Sequence, residues 1–278
     1  MFRPTILTPG VEKAVGKLFA AAVAVIALVS AGVFLSHTWW LPPDYSTLGL
    51  EIDNQVFETM IFTGTLFVAA QLALAAFVLQ ASGRTSDIKL FPGGPMPLVA
   101  LATVIVGLEV LSLVFVGTKV WANIFLAPVE ANAVHIDVQA GQFAFYFRYA
   151  GPDGKFGVPH PEKIDEGNSN FFGLDPQNDT AARDDIVSAS LVVPVDRPIL
   201  LTMHSKDVGH SLFIPQMRLQ QDFVPGLIIP VHFTATGLTK TEIVCTQLCG
   251  LGHYNMRAYL EVLSKDDFAK WLTDQAGQ

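Results

Sequence analysis

The sequence predicts a membrane-anchored α+β protein, in which about three N-terminal transmembrane helices precede an all-β domain with a C-terminal helix. Hydrophobic residues make up 51% of the 278 residues and charged residues only 15%, which is too apolar for an ordinary soluble domain. The apolar residues are concentrated in three long stretches before about residue 128, and the remainder has the composition of a soluble protein. We therefore divide the chain into an anchor, residues 1–127, and a head, residues 128–278.

The three apolar stretches predict helices at about residues 18–36, 59–80 and 97–118. Each is long enough to cross a bilayer at a rise of about 1.5 Å per residue. Trp39 and Trp40 follow the first stretch, and such aromatic pairs are typical of a membrane interface. A cleaved signal peptide is an alternative for the first stretch, because basic residues precede it and small residues follow its apolar core.

The charges that flank the stretches predict the orientation. Arg3, Lys13 and Lys17 precede the first stretch, and Arg84 and Lys89 lie between the second and third. These ends are expected on the cytoplasmic side. The loop after the first helix has acidic residues but no Lys or Arg, so it is expected on the opposite side. We expect a multi-pass protein of the bacterial inner membrane, embedded in lipid, with its head on the periplasmic side.

Glu109 is a carboxylate within the third apolar stretch. An ionisable side chain inside a transmembrane helix is costly and often marks a proton path or a polar contact with another helix. Glu109 is therefore a candidate for a proton route, and a carboxyl hydrogen-bonded to a neighbouring subunit is the alternative.

The head contains short β-rich runs separated by turn residues, a spacing that predicts a β-sandwich or barrel. Ser264 and Asp267 then indicate the start of a final helix, whose residues Phe268 and Trp271 are expected to pack on the head. The predicted strands are 134–138, 142–149, 186–193, 198–204, 228–234 and 257–263.

Four sulfur and nitrogen ligands occur within twelve residues, namely Cys245, Cys249, His253 and Met256. Thiolates, an imidazole and a weak thioether suit copper in electron transfer, whereas a structural zinc site requires four strong ligands. The segment therefore predicts a copper site.

His210 supplies a second imidazole if its strand lies beside this segment. Two cysteines, two histidines and one methionine are too many ligands for one copper ion. They fit two copper ions bridged by both sulfurs, each with one histidine, and with Met256 and a backbone carbonyl at Gln247 completing the site. A disulfide between Cys245 and Cys249 is the alternative interpretation.

These motifs resemble subunit II of cytochrome c oxidase, a subunit of heme-copper oxidases. Cys245, Cys249, Gly250, His253 and Met256 match the family's ligand pattern, and Asp207-Val208-Gly209-His210-Ser211 matches the context of its first ligand histidine. The resemblance implies a cupredoxin fold with a dinuclear copper centre, called CuA. It also implies that the chain receives electrons from cytochrome c or a similar carrier and passes them to heme in the O₂-reducing catalytic subunit I.

Three features depart from the family pattern. Gln247 stands where many members have a glutamate that helps bind magnesium at the subunit boundary, so that magnesium site is in doubt. In the family, a tryptophan-rich segment receives electrons from cytochrome c, but the corresponding segment here has no tryptophan. Its aromatic residues Phe143, Phe145 and Tyr146 are the candidate docking residues for the electron donor. Packing in the core is the alternative for them. The third departure is the additional transmembrane helix.

The charges and cysteines limit the partners. A net charge of −8 argues against nucleic acid as a partner. Residues 150–185 contain eight acids, which either steer a basic cytochrome or form a solvated loop. Because no Cys-x-x-Cys-His motif is present, no covalent heme is expected and the electron donor is a separate protein.

Two other functions fit parts of this pattern. A nitric oxide reductase with the same copper pair shares the chemistry of the head. A membrane-anchored copper-delivery protein would instead bind a single copper ion reversibly through exposed sulfur ligands.

Overall fold

The computed structural model describes residues 9–36, 40–82 and 96–276. The chain divides into two compact units: a helical unit, residues 1–41 with 54–119, and a head unit, residues 42–53 with 120–278. The residues that separate the first two helices are thus shared between the units.

Three long helices precede the β-rich part, α1 (Pro9–Leu35), α2 (Gly49–Ala81) and α3 (Met96–Phe125). Each is long and apolar enough to span a membrane. Three helices were predicted, and this is confirmed. They are longer than the predicted segments because the helical backbone continues past the apolar stretches. Four residues used to predict the orientation and the interface, Arg3, Trp39, Arg84 and Lys89, lie outside the described residues.

Small residues allow α1 and α2 to approach closely in the helical unit. A Cβ atom at Gly16 would lie 1.9 Å from Oγ of Ser82, so any side chain there would require Ser82 to move. Ala20 and Ala27 of α1 are buried, whereas most of the larger apolar side chains of these helices are exposed. Such a distribution is expected for helices that present their large apolar side chains to lipid.

The head unit contains two five-stranded sheets. The first has the order β3-β2-β1-β5-β8 and the second the order β4-β10-β9-β6-β7. Strands β1 and β5 are parallel, as are β4 and β10, and the remaining neighbours are antiparallel. The strands are β1 (Val134–Gly141), β2 (Ala144–Tyr149), β3 (Ile186–Ser188), β4 (Leu191–Pro194), β5 (Pro198–Ser205), β6 (His210–Ile214), β7 (Leu219–Phe223), β8 (Ile229–Thr234), β9 (Thr239–Cys245) and β10 (Arg257–Leu263).

Alternate residues of both sheets form one hydrophobic core, as expected for a β-sandwich. The rings of Phe145 in the first sheet and Phe223 in the second lie 5.8 Å apart between centroids. The arrangement agrees with the fold class predicted from the sequence.

The sequence analysis missed strands β6, β7 and β9, and it treated residues 186–193 as one strand. These residues instead form β3 and β4, which belong to different sheets. The chain turns between them where the hydroxyl of Ser188 donates to the carbonyl of Ser190 and accepts from its N–H. Two serines that bond locally therefore interrupt an apolar run.

The C-terminal helix, α4 (Lys265–Ala276), begins where the sequence predicted it. Ser264 Oγ accepts a hydrogen bond from the N–H of Asp267 at 3.1 Å, which caps the helix. Phe268 is buried in the core, and the ring of Trp271 meets that of Tyr149 edge-on at 5.0 Å. The helix packs on the head unit, as expected.

Arg148 connects the long segment between β2 and β3 to the first sheet. Its buried guanidinium forms ion pairs with Asp137 of β1 and Asp185 of the segment and donates to the carbonyl of Gly157. Burial raises the pKa of Asp137, but hydrogen bonds from His204 and Arg148 outweigh it and hold that pKa below its ordinary value. The charge of Arg148 is thus neutralised by two acids within the head unit.

Candidate metal centre

Strand pairing brings the two ligand-bearing segments together. His210 is the first residue of β6 and Cys245 the last of β9, and the two strands are hydrogen-bonded neighbours with Leu212 opposite Cys245. The chain then forms the ligand loop, which we define as residues 245–256, before β10 begins. The antiparallel pairing therefore places a buried histidine beside the two cysteines.

The sulfur and nitrogen atoms converge at one point of the ligand loop. The two cysteine Sγ atoms lie 3.9 Å apart, and Sγ of Cys249 lies 3.7 Å from Nδ1 of His253 and 3.8 Å from Sδ of Met256. One ligand atom each of His210, Cys245 and Cys249 lies within 4.8 Å of the others. Two sulfurs bound to one metal at about 2.3 Å can be at most about 4.6 Å apart, so the observed spacing permits a shared metal.

His210 is completely buried and has one nitrogen without a hydrogen-bond partner. Its Nε2 lies 2.8 Å from Oδ1 of Asp207, whereas its buried Nδ1 has no hydrogen-bond partner. A buried polar atom without a partner is costly, and a metal ion would satisfy it. Because Asp207 fixes Nε2 as the protonated nitrogen, Nδ1 keeps its lone pair for a metal.

The backbone carbonyl of Gln247 also lies at the centre, 3.2 Å from Sγ of Cys245. The side chain of this residue is exposed. The carbonyl therefore lies within reach of the sulfur cluster, and its role as a ligand stays a prediction.

Cys245 and Cys249 are free thiols in the structure, so the disulfide alternative is not supported. Burial, together with the neighbouring Cys245, raises the pKa of Cys249 to about 11. The thiol of Cys249 is therefore expected to be protonated in the metal-free protein, and a bound metal ion would displace its proton.

The three predicted docking residues have different environments. Phe143 is 41% exposed and contacts the ligand loop: a Cβ at Gly252 would lie 2.5 Å from its ring. Tyr146 stacks on Phe171 with the ring centroids 3.6 Å apart. Phe145 is only 1% exposed, so the expectation that it lies on a docking surface is wrong. Alternate residues of β2 face opposite sides, and Phe145 faces the core.

Sequence reasoning missed three exposed apolar side chains of the ligand loop: Leu248, Leu251 and Tyr254. Leu251 is 97% and Tyr254 90% exposed. Together with Phe143, whose ring contacts the ligand loop, we call these exposed apolar side chains the loop surface. The signal available in the sequence was the presence of large apolar residues between metal ligands, where a polar loop would be ordinary.

Glu109 lies in the helical unit along a cavity of about 170 Å³ between α2 and α3. Glu58, a second acid, and three polar side chains share this cavity, those of Gln55, Thr59 and Ser112. The carboxyl of Glu109 therefore faces a polar space between the helices.

Comparison with known proteins agrees with this geometry. The family model described as cytochrome c oxidase subunit II, periplasmic domain, matches residues 170–263, which include His210 and the whole ligand loop. Over these residues the chain is similar to the periplasmic domain of cytochrome c oxidase subunit II. The matched segment follows three helices that are long and apolar enough to cross a membrane.

Relatives named as subunit 2 of cytochrome c oxidases align along nearly the whole chain. The alternative cytochrome c oxidase subunit 2 of Bradyrhizobium diazoefficiens is 27% identical over 260 residues, or 92% of each chain. Cytochrome c oxidase subunit 2 of Thermostichus vulcanus is 27% identical over 89% of this chain and 81% of its own. The crystal structure of the subunit II periplasmic domain of Bradyrhizobium japonicum covers 53% of this chain and 96% of its own, with 22% identity and a TM-score of 0.39.

Proposed function

We propose that this chain receives electrons for a respiratory terminal oxidase through a dinuclear CuA centre in the head unit. The observation that carries the proposal is the unpartnered Nδ1 of buried His210 beside two free cysteine sulfurs. The proposed ligands are the side chains of His210, Cys245, Cys249, His253 and Met256 and the backbone carbonyl of Gln247. When bound, the copper pair accepts one electron from a donor and passes it to heme in the catalytic subunit.

The donor set fits copper better than zinc. Two thiolates, two imidazole nitrogens and a thioether are soft ligands, whereas zinc sites of four strong ligands do not use methionine. Met256 is buried within 3.8 Å of Sγ of Cys249, so its thioether belongs to the same cluster. Five side-chain ligands and a carbonyl are sufficient for two metal ions that share both sulfurs.

The surrounding residues limit movement and exclude water. Cys245, Cys249, Met256 and His210 are all buried, and Asp207 holds the ring of His210 in one orientation. Ligands fixed in this way change position little when the charge of the site changes, which favours rapid electron transfer. The same burial argues against a copper-delivery protein, because its sulfur ligands would need to be accessible for exchange.

The loop surface is the proposed docking site of the electron donor. Its side chains are exposed and apolar, and they lie on the ligand loop or, for Phe143, against it. Exposed apolar residues next to a buried redox site are suited to short-lived contact with a soluble carrier such as cytochrome c. The net charge of −8 would attract a basic carrier.

The proposed acceptor is heme in catalytic subunit I, within the bacterial inner membrane. The nitric oxide reductase alternative is not favoured, because the family and the relatives described above are those of cytochrome c oxidases.

For Glu109, the polar cavity supports a role in a proton route. We expect Glu109→Gln to slow proton uptake by the assembled oxidase and to leave the copper spectrum unchanged.

Electron transfer from a donor tests this function. The full-length chain in detergent, loaded with copper and oxidised, is mixed with a reduced basic cytochrome c in a stopped-flow instrument. We expect one electron to leave the cytochrome per chain, with a second-order rate that falls as salt is added. A chain that holds two copper ions but oxidises no cytochrome would contradict the proposal.

A further inference from the structure

Gln142 contacts both segments that carry the proposed metal ligands. It lies in the turn between β1 and β2 of the first sheet, whereas His210 and Cys245 are on strands of the second. Its side-chain Nε2 donates a hydrogen bond of 2.6 Å to the carbonyl of Cys249. Its backbone N–H donates one of 2.7 Å to Oδ2 of Asp207.

Each of these two bonds ends next to a proposed ligand. The carbonyl belongs to Cys249 itself, so this bond restrains the backbone from which the thiol extends. The other oxygen of Asp207 lies 2.8 Å from Nε2 of His210, so the second bond restrains the carboxylate that orients the imidazole. One residue of the first sheet therefore connects the two halves of the ligand set.

The ligand loop is shaped to reach this residue. A Cβ atom at Gly250 would lie 2.8 Å from Nε2 of Gln142, and this glycine has a φ of +133° that other residues rarely adopt. The loop can approach the amide closely only because a glycine follows Cys249. Asp207 also accepts a hydrogen bond from the N–H of Val208, which keeps its carboxylate in place.

We propose that Gln142 is a positioning residue of the metal centre, which holds the Cys249 backbone and the Asp207–His210 pair at a fixed separation. The inference rests on the proposed copper centre. Residues in contact with metal ligands typically contribute 10- to 100-fold to metal affinity, because they fix ligand geometry. Loss of the amide should loosen the ligand loop while every ligand atom remains.

The test compares Gln142→Leu and Gln142→Glu with a matched control, Gln139→Leu, in the full-length chain. Gln139 lies on the same strand end, and its amide also donates to a backbone carbonyl, that of Phe171, away from the ligand loop. Gln142→Glu keeps the size of the side chain and replaces the N–H donor with an oxygen. It separates loss of the hydrogen bond from loss of packing.

We expect both Gln142 variants to bind two copper ions but, in competition with a Cu(I) chelator, to hold them about 10- to 100-fold more weakly than wild type. Their reduction potential and copper hyperfine splitting should also shift, whereas Gln139→Leu should match wild type in all three measurements. A Gln142→Glu variant that folds by circular dichroism and matches wild type would overturn the inference and leave the proposed function intact. Failure of the wild-type chain to bind two copper ions would overturn both.

Discussion

Two buried polar side chains of the head unit, Arg148 in the first sheet and His210 in the second, have opposite environments. Arg148 forms ion pairs with Asp137 and Asp185, so the protein itself supplies its counter-charges. His210 has a partner for Nε2 in Asp207 but none for Nδ1. The charge of Arg148 is balanced by acids of the protein itself, although its buried Nε and Oδ1 of Asp185 have no hydrogen-bond partner. The free nitrogen of His210 differs because it lies beside two cysteine sulfurs, where a metal ion would bind.

The largest expected effect is the loss of copper binding when a residue of the ligand cluster is replaced, compared with a residue elsewhere in the head unit. Cys249→Ser removes one shared sulfur and leaves the core intact, because serine is similar in size. We expect complete loss of the copper pair, with at most one copper ion per chain by metal analysis. Met203→Leu, which changes a buried methionine of the first sheet, is the control and should bind copper as wild type does.

The next largest effect concerns Arg148. Arg148→Met leaves Asp137 and Asp185 without their counter-ion in a buried site, which costs about 3–5 kcal/mol of unfolding free energy. Urea unfolding of the metal-free chain, followed by tryptophan fluorescence, measures this change. Arg257→Met removes an exposed ion pair with Glu242 and should cost less than about 1 kcal/mol. Equal losses for the two variants would show that the Arg148 ion pairs add no special stability.

The smallest expected effect concerns the loop surface. Leu251→Ser and Tyr254→Ser should lower the second-order rate of electron transfer from cytochrome c about tenfold at most, which corresponds to about 1.4 kcal/mol of contact energy. The copper spectrum should remain that of wild type, since neither side chain is a ligand. Leu238→Ser, an exposed residue of the turn between β8 and β9, is the control. An unchanged rate in both loop variants would place the docking site elsewhere.

The sequence predicted most of the ligand cluster because its members lie close together along the chain. Cys245, Cys249, His253 and Met256 occupy one loop, and residue chemistry alone identified them as soft metal ligands. Strand β10 and the cap of α4 were also predicted, because both follow local rules of alternation and capping. Sequence patterns thus identified the features whose residues are close together along the chain.

Contacts between distant segments could not be predicted in this way. Asp185 is 37 residues from Arg148, and Gln142 is 107 residues from Cys249, so no local pattern connects them. Phe143 and Phe145 are two residues apart and would share one face of a regular strand. They differ because β2 begins at Ala144, so Phe143 lies in the turn before the strand while Phe145 is in the strand and buried. The predicted strand 142–149 began too early to show this.

The most direct test of the central claim is the copper content of the full-length chain in detergent, measured together with its electron paramagnetic resonance spectrum. The account predicts two copper ions per chain that share one unpaired electron, so that the hyperfine pattern has the seven lines of two equivalent nuclei. A single copper ion with a localised four-line signal, or a chain that retains no copper, would contradict the dinuclear centre.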